Sequence, residues 1–259
     1  MYVAFLFEQG LKGSSIKVYL AAIRNLHIKC GFSNPTQSLR LKMAVKGASA
    51  LSLPPQRKLP ITYDILCKML PLLGDRSDAL MLECVMSVAF YGCFRAGELC
   101  VADGVDFDSL IHVCLGDVSF SDISVSLKLK RSKTDVSNAG VVVNLGCSKK
   151  SICAFCTLKK YVSGRCGLKD EPLFLDSSGS ALKKGYFIST TRLLLALLGY
   201  DPSKFSGHSY RAGCATTASQ KGLNQWEIKM LGRWSSECYH IYLRNLSIVS
   251  TFAERLAAD

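Results

Sequence analysis

The chain has 259 residues, 49% of them hydrophobic, and a formal net charge of +12. This length and hydrophobicity are enough for a buried core, which excludes a mainly disordered chain. The positive charge favours an anionic partner, nucleic acid first, over a basic protein without such a partner. The longest apolar stretches are short or contain a charged residue, so no membrane-spanning segment is predicted.

The first 50 residues are predicted to form a small, helical and basic domain. Apolar residues at helical spacing predict helices over residues 1–7, 16–27 and 36–48. Between the first two, the glycine and serines at positions 13–15 are typical of a turn and a helix cap.

Residues 51–60 contain three prolines and are predicted to be an extended linker. The domain that follows, residues 61–259, opens with helices. Thr62 is predicted to cap a helix that runs through Leu73, and Ser77 to cap a long apolar helix.

After residue 110 the sequence pattern changes from one typical of helices to one typical of strands. Runs of β-branched and apolar residues predict three strands, at residues 112–115, 123–129 and 141–145. A polar turn at residues 131–140 separates the last two strands. Helical spacing predicts further helices at residues 95–101, 152–162, 184–198, 209–221, 224–231 and 246–257. The predicted fold is therefore mainly α with a small antiparallel β-sheet, an α+β class.

His208 and Arg211 are the first candidates for chemistry. At a spacing of three, their side chains are predicted to share one helix face. A guanidinium matches the geometry of a phosphate, and a histidine exchanges protons near neutral pH. Gly207, directly before the pair, suits a close approach of the backbone to a ligand. The alternative is a surface pair with no joint role, which these two residues alone do not exclude.

Other candidates are individually no more specific. Arg95 lies among apolar residues and has Glu98 one turn later, so a local ion pair and a functional arginine are equally good interpretations. Lys133 lies at the predicted hairpin tip, where a solvated charged loop is the usual interpretation. Trp234 and Tyr242 are most simply packing residues, and Tyr239 competes with Tyr242 for any nucleophilic role.

Twelve cysteines are scattered along the chain, and no secretory signal is visible, so reduced thiols are expected. Cys147, Cys153, Cys156 and Cys166 lie close together in the sequence. Because they do not form two matched pairs, structural thiols are a better interpretation than a zinc module.

The order of the candidates is more specific than any one of them. Arg-x-x-Glu, a hairpin lysine, His-x-x-Arg, Gly-Arg-Trp and a tyrosine follow one another between residues 95 and 242. This succession resembles the tyrosine recombinase (phage-integrase-like) family. The resemblance covers residues 59 to about 244. The amino acids within the motifs are most similar to those of DIRS-type and Crypton-type mobile-element members.

The resemblance implies a role for each residue. Arg95 and Arg211 would hold the scissile phosphate, Lys133 would protonate the leaving oxygen, and Tyr242, ten residues after Gly232, would be the nucleophile. The further implied residues are His208 and Trp234 at the phosphate, Glu98 as support for Arg95, and Lys17, Arg24, Arg131 and Arg233 as DNA contacts.

The resemblance also implies an activity and partners. It predicts a partial helical core-binding domain over residues 1–50, a linker over residues 51–60 and a catalytic domain over residues 61–259. The expected enzyme cleaves and rejoins double-stranded DNA through a 3′-phosphotyrosyl intermediate, without metal, ATP or other cofactor, as a homo-tetramer on a DNA synapse in the nucleus. A catalytically inactive, domesticated DNA-binding protein and a type IB topoisomerase-like enzyme are the alternatives.

Overall fold

The structure is a computed structural model that describes residues 2–53, 57–131 and 140–242, with the backbone alone at positions 238, 241 and 242. The chain divides into two units, residues 1–57 and 58–259. The predicted helix over residues 246–257 and the Lys133 position lie outside the described residues.

Three helices form the first unit. They are α1 (Tyr2–Glu8), α2 (Gly13–Lys29) and α3 (Leu39–Leu51). Their small shared core contains Val3, Leu6, Ile16 and Ala48, all buried. The third helix begins three residues later than predicted and also ends three residues later.

The prediction of a turn and cap at positions 13–15 is wrong, because α2 begins at Gly13 and Lys12 is its N-cap residue. The glycine serves a close helix crossing instead. A Cβ atom added to Gly13 would lie 2.6 Å from the Cα atom of Ser49 on α3. The Gly13 amide also donates a hydrogen bond of 2.9 Å to the Ser52 hydroxyl.

The described part of the second unit is mostly helical. Its α-helices are α4 (Tyr63–Met69), α5 (Ala79–Tyr91), α6 (Ala96–Leu99), α7 (Ala154–Ser163), α8 (Lys184–Leu197), α9 (Ser209–Gln220) and α10 (Gln225–Gly232). Short 3-10 helices occupy Leu70–Leu73, Leu115–Asp117, Pro202–Lys204 and Glu237–Tyr242. No described helix is long and apolar enough to cross a membrane.

A small antiparallel sheet accompanies these helices, in the order β1 (Val118–Phe120), β2 (Ser124–Leu129) and β3 (Val141–Gly146). In the central strand the apolar residues Val125, Leu127 and Leu129 alternate with more exposed ones, so one face of the sheet joins the core. The predicted mainly α fold with a small antiparallel sheet is confirmed.

The predicted strand at residues 112–115 is wrong, because the first strand begins at Val118 after a 3-10 turn. Asp117 explains the turn. Its carboxylate accepts a hydrogen bond of 2.8 Å from the Cys114 amide and forms an ion pair of 2.6 Å with Lys130. A carboxylate that bonds a local backbone amide favours a turn over a strand ladder.

The core of the second unit is built around α5, whose residues from Met81 to Phe90 are all buried except Glu83. Helices α7 and α9 both pack against it. The predicted cap, Ser77, is one residue early, because Asp78 holds the N-cap position. This central helix ends at Tyr91 with Gly92 as its C-cap residue, just before the segment that carries Arg95.

Asp78 should make the stability of the fold sensitive to acid. Burial raises the pKa of its carboxyl, but hydrogen bonds from Arg76 and Tyr186 outweigh this and hold the pKa below its ordinary value. The lowered pKa means that this stabilisation is complete above the unfolded-state pKa and is lost as the pH falls. We expect Asp78→Asn to lower the free energy of unfolding by about 2 kcal/mol near pH 7.

Urea unfolding at a series of pH values measures this effect. The difference between wild type and Asp78→Asn should shrink as the pH falls below about 4. Asp122→Asn, at an exposed carboxylate, is the matched control and should show little difference at any pH. A difference for Asp78→Asn that stays constant with pH would contradict the assignment.

Candidate active site

Three chain segments meet beside the end of α5. Arg95 is the N-cap residue of α6, His208 is the N-cap residue of α9, and Arg233 is the C-cap residue of α10. The Ala96 amide donates a hydrogen bond of 3.2 Å to the Gly207 carbonyl and so joins the starts of α6 and α9. These three candidate residues therefore lie at helix ends, where backbone and side chains can both face a ligand.

Gly207 has a packing role in this junction. A Cβ atom added to it would lie 2.9 Å from the Cβ atom of Ala96 and 3.3 Å from the Ile188 side chain. The sequence suggested that this glycine lets the backbone approach a ligand. The structure instead explains it by the close contact with Ala96.

An open cleft of about 600 Å³ brings together four of the predicted residues, Arg95, Glu98, Arg131 and His208. Lys184, the first residue of α8, lines the same cleft and was missed by the sequence analysis. A lysine in the first helical turn is unfavourable beside the positive end of the helix dipole. This unfavourable position could have identified Lys184 from the sequence. It is explained if the cleft binds an anion.

Glu98 organises the arginines at the edge of this cleft. Its carboxylate accepts hydrogen bonds from the Arg95 amide at 2.9 Å and from the Arg95 guanidinium at 2.6 Å. The Arg233 guanidinium donates a longer hydrogen bond, of 3.4 Å, to the same carboxylate at Glu98 Oε2. One buried carboxylate thus orients two arginine side chains, which keep 20% and 19% of their surface exposed.

Arg211 has a different environment from the other two arginines. It is 1% exposed, and its guanidinium donates hydrogen bonds to the carbonyls of Cys93, at 2.7 Å, and Gly232. The guanidinium also lies 4.4 Å from the centre of the Trp234 ring. Burial lowers the pKa of Arg211, and the nearby charges of Arg95 and Arg233 act in the same direction, while Cys93 opposes them.

The predicted pairing of His208 with Arg211 therefore needs correction. His208 is exposed at the mouth of the cleft, whereas Arg211 is enclosed under Trp234. The two side chains do not present one common exposed face. The spacing of the two residues predicted where they lie along the helix. The burial of the Arg211 side chain, however, depends on the segment that follows α10.

That segment is shaped by Gly232 and Arg233. A Cβ atom added to Gly232 would overlap the Trp234 ring, at 1.7 Å. Arg233 has a left-handed backbone, with φ of 54°, which turns the chain sharply at the end of α10. Its guanidinium then donates to the Gly92 carbonyl at 2.7 Å and lies 4.8 Å from the Phe94 ring centre.

The two tyrosines that compete for the nucleophilic role are separated by their packing. Tyr239 is 2% exposed, and its ring centre is 5.8 Å from that of Trp234. A buried ring of this kind is a packing residue. Tyr242 ends the 3-10 helix Glu237–Tyr242, and its side chain is outside the described part of the structure. Its role as nucleophile stays a prediction, as does that of Lys133.

Lys17 and Arg24, the predicted DNA contacts of the first unit, lie on α2 and line one groove between α2 and α3. Lys42 of α3 lines the same groove. The groove is therefore basic along both of its helices.

The structure also brings together three of the four cysteines noted in the sequence. The sulfur atoms of Cys147, Cys153 and Cys156 all lie within 4.8 Å of one another, and Cys166 is not part of this group. Burial raises the pKa of the Cys153 thiol, but hydrogen bonds from Cys156 and Ser148 outweigh burial and lower the pKa to about 6.

The chain is similar to known proteins in sequence and in fold. No protein-family model matches the chain. An integrase/recombinase described as a XerD homolog, from Selenomonas ruminantium, is 25% identical over 250 residues, which cover 92% of this chain and 70% of that protein.

Two solved structures with a similar fold are complexes with DNA. The Tn1549 transposon integrase (residues 82–397 of that protein) in complex with circular intermediate DNA aligns with a TM-score of 0.65 and 14% identity, covering 98% of this chain and 82% of that chain. The site-specific recombinase XerH bound to its difH substrate aligns with a TM-score of 0.54 and 15% identity, covering 97% and 72%. In fold and in sequence, the chain is thus similar to the tyrosine recombinase/integrase family.

Proposed function

We propose that this chain cleaves and rejoins duplex DNA at specific sites, as a tyrosine recombinase. The observation that carries the proposal is the pair of arginines held by Glu98, Arg95 and Arg233, with the enclosed Arg211 nearby. Arg95 also lines a cleft together with His208, Arg131 and Lys184. Such a concentration of guanidinium groups suits one phosphate diester better than a diffuse polyanion surface. The XerD homolog and the DNA-bound integrase and recombinase structures support it.

In the proposed reaction, the phenol oxygen of Tyr242 attacks the scissile phosphorus. The bond from phosphorus to the 5′ oxygen breaks, and a 3′-phosphotyrosyl bond forms. The phenol proton passes toward His208, and the leaving oxygen takes a proton from Lys133. The bond energy is kept in the covalent intermediate, so rejoining by the 5′ hydroxyl requires no ATP.

The arginines stabilise the extra negative charge of the five-coordinate transition state. Arg95 and Arg233 have exposed surface and a shared carboxylate that holds them in place. Arg211 lies beneath them, bonded to two carbonyls. We infer that Arg95 contacts the phosphate from the cleft, and that Arg233 and Arg211 add their positive charge beside it.

The finer assignments belong to the same proposal. The motifs favour a mobile-element enzyme of the DIRS or Crypton type that acts in the nucleus as a homo-tetramer on a DNA synapse. Residues 246–257 would supply the contact between protomers. Sedimentation of the chain on synaptic DNA, with and without the residues after 244, measures this, and unchanged sedimentation after truncation would contradict it.

Covalent trapping on a nicked suicide duplex tests the central step. The wild-type chain should become covalently attached to the 3′ end of the cleaved strand, and Tyr242→Phe should lose the attachment completely because the attacking oxygen is gone. Tyr239→Phe is the matched control. It removes a hydroxyl from the same 3-10 helix and should leave the trapped fraction nearly unchanged.

The same assay separates the alternatives. Trapping that survives Tyr242→Phe would show that another residue is the nucleophile. DNA binding that falls steeply with salt, without any trapping by the wild-type chain, would indicate an inactive DNA-binding protein. Rapid relaxation of a supercoiled plasmid without strand exchange would indicate a topoisomerase-like enzyme.

A further inference from the structure

Three cysteine thiols converge at the junction between the sheet and the following helix. Cys147 comes directly after β3, Cys153 is the N-cap residue of α7, and Cys156 lies in the first turn of α7. Cys153 is buried, Cys147 is half-buried and Cys156 is exposed. The cluster therefore opens to solvent on one side. None of its residues lines the cleft of the candidate active site.

The distances within the cluster match a metal–thiolate site. The sulfur of Cys147 lies 3.8 Å from that of Cys156 and 3.8 Å from that of Cys153. A zinc–sulfur bond of about 2.3 Å in a tetrahedral arrangement separates its sulfur ligands by about 3.8 Å. The thiols are thus already spaced for one shared ion, whereas a disulfide would need two of them to approach to about 2.05 Å.

The loop between Cys147 and Cys153 is held in shape by its own hydrogen bonds. The Ser148 amide donates to the Cys153 sulfur at 3.3 Å, and the Ser148 hydroxyl donates to the Ile152 carbonyl at 2.9 Å. The Tyr91 hydroxyl donates to the same carbonyl at 2.9 Å. Hydrogen bonds that fix the ligands in this way orient a metal site and lower the cost of binding.

Charge is also favourable. Three thiolates and one divalent cation leave a net charge of about −1 at the site. Lys149 and Lys150 lie within the loop that joins the cysteines, and Lys149 has a left-handed backbone with φ of 54°. Two lysines in the same loop as an anionic centre lower the electrostatic free energy of its negative charge.

We propose that Cys147, Cys153 and Cys156 bind one Zn²⁺ ion as thiolates, with the fourth position open to water or another ligand. The three protons are released to solvent when the ion binds. The ion would fasten the end of β3 to the start of α7, and thereby the β2–β3 hairpin to the helical core. Thiolate ligands select zinc over the hard cations magnesium and calcium.

Cobalt substitution of the full-length chain tests the proposal. Metal-free, reduced protein titrated with Co²⁺ should bind about one ion per chain with the intense visible absorption of a tetrahedral thiolate site, and Zn²⁺ should displace it. Cys156→Ser and Cys147→Ser should both lose the absorption. Cys166→Ser is the matched control, since Cys166 is an exposed thiol outside the cluster, and should keep it.

Folding can be followed separately from metal binding. Cys156 is exposed, so Cys156→Ser should keep the far-ultraviolet circular dichroism of the wild type while losing the bound ion. A chelator should lower the melting temperature of the zinc-loaded wild type and leave that of Cys156→Ser unchanged. Failure of the wild type to bind Co²⁺, binding that persists in Cys156→Ser, or a disulfide between two of these cysteines in the purified protein would overturn the proposal. None of these outcomes depends on DNA cleavage.

Discussion

Replacing Arg95 with alanine should slow DNA cleavage about 10³-fold, because one preorganised guanidinium is lost from the transition state. The fold should hardly change. The Arg95 side chain is partly exposed, and Glu98 keeps the Arg95 amide and Arg233 as partners after the substitution. We therefore expect the free energy of unfolding to fall by no more than about 1 kcal/mol.

Arg211→Ala provides the contrast. It leaves the carbonyls of Cys93 and Gly232 without their donor and opens a cavity under Trp234. Both cleavage and stability should fall, with a loss of about 3 kcal/mol or more in the free energy of unfolding. Single-turnover cleavage and urea unfolding measured on the same preparations distinguish the two variants. Equal losses of stability in Arg95→Ala and Arg211→Ala would refute the assignment of an exposed and an enclosed arginine.

Gly213→Ala should destabilise the second unit by about 3 kcal/mol or more, because a buried site is overpacked. Gly213 lies in the middle of α9, where an added Cβ atom would meet the Ile61 carbonyl oxygen at 1.6 Å. The obstacle is backbone, so no rotamer change relieves it. The Ile61 amide also donates to the Ser209 carbonyl at 2.9 Å, which holds the two segments together. Moving α9 away would displace Arg211 as well, so cleavage should fall with stability.

Gly47→Ala is the matched control for a glycine in a helix. Gly47 is exposed in α3, and no atom lies within 4 Å of the position its Cβ would take. Alanine has the higher helix propensity, so this substitution should stabilise the first unit by about 0.5–1 kcal/mol. Thermal unfolding of both variants beside the wild type measures the pair. A Gly213→Ala variant as stable as the wild type would mean that α9 does not pack against residue 61 as described.

The arrangement of the helices could be predicted from the sequence because most of them bury a regular apolar pattern. Helices α8, α9 and α10 lie within one or two residues of their predicted bounds. The strand predicted at residues 112–115 failed because apolar residues there are followed by Asp117, whose carboxylate bonds the local backbone. A single polar contact decided between strand and turn, and residue pattern does not reveal such contacts.

The sequence predicted several of the residues that share the cleft, but not how deeply each candidate residue is buried. Arg95, Arg131 and His208 do line one cleft, as a shared ligand site requires. The enclosure of Arg211 was not predictable, since it depends on the Gly232 carbonyl and on the Trp234 ring, which are 21 and 23 positions away in the chain (232 − 211 and 234 − 211). The sequence did not predict that three cysteines cluster, for a similar reason. Cys147 has no partner at a typical ligand spacing, and only the bend of the loop before α7 brings it to the other two.

In the proposed reaction, the buried ring of Tyr239 limits which phosphates Tyr242 can reach. Tyr239 is packed against Trp234, and three positions separate it from Tyr242 (242 − 239). Three residues of extended chain span at most about 10 Å. While Tyr239 stays in place, Tyr242 can serve only phosphates within roughly that backbone reach plus its own side chain. In the proposed reaction, attack on a phosphate beyond this reach, such as one held by a more distant second chain, would require Tyr239 to leave the Trp234 ring.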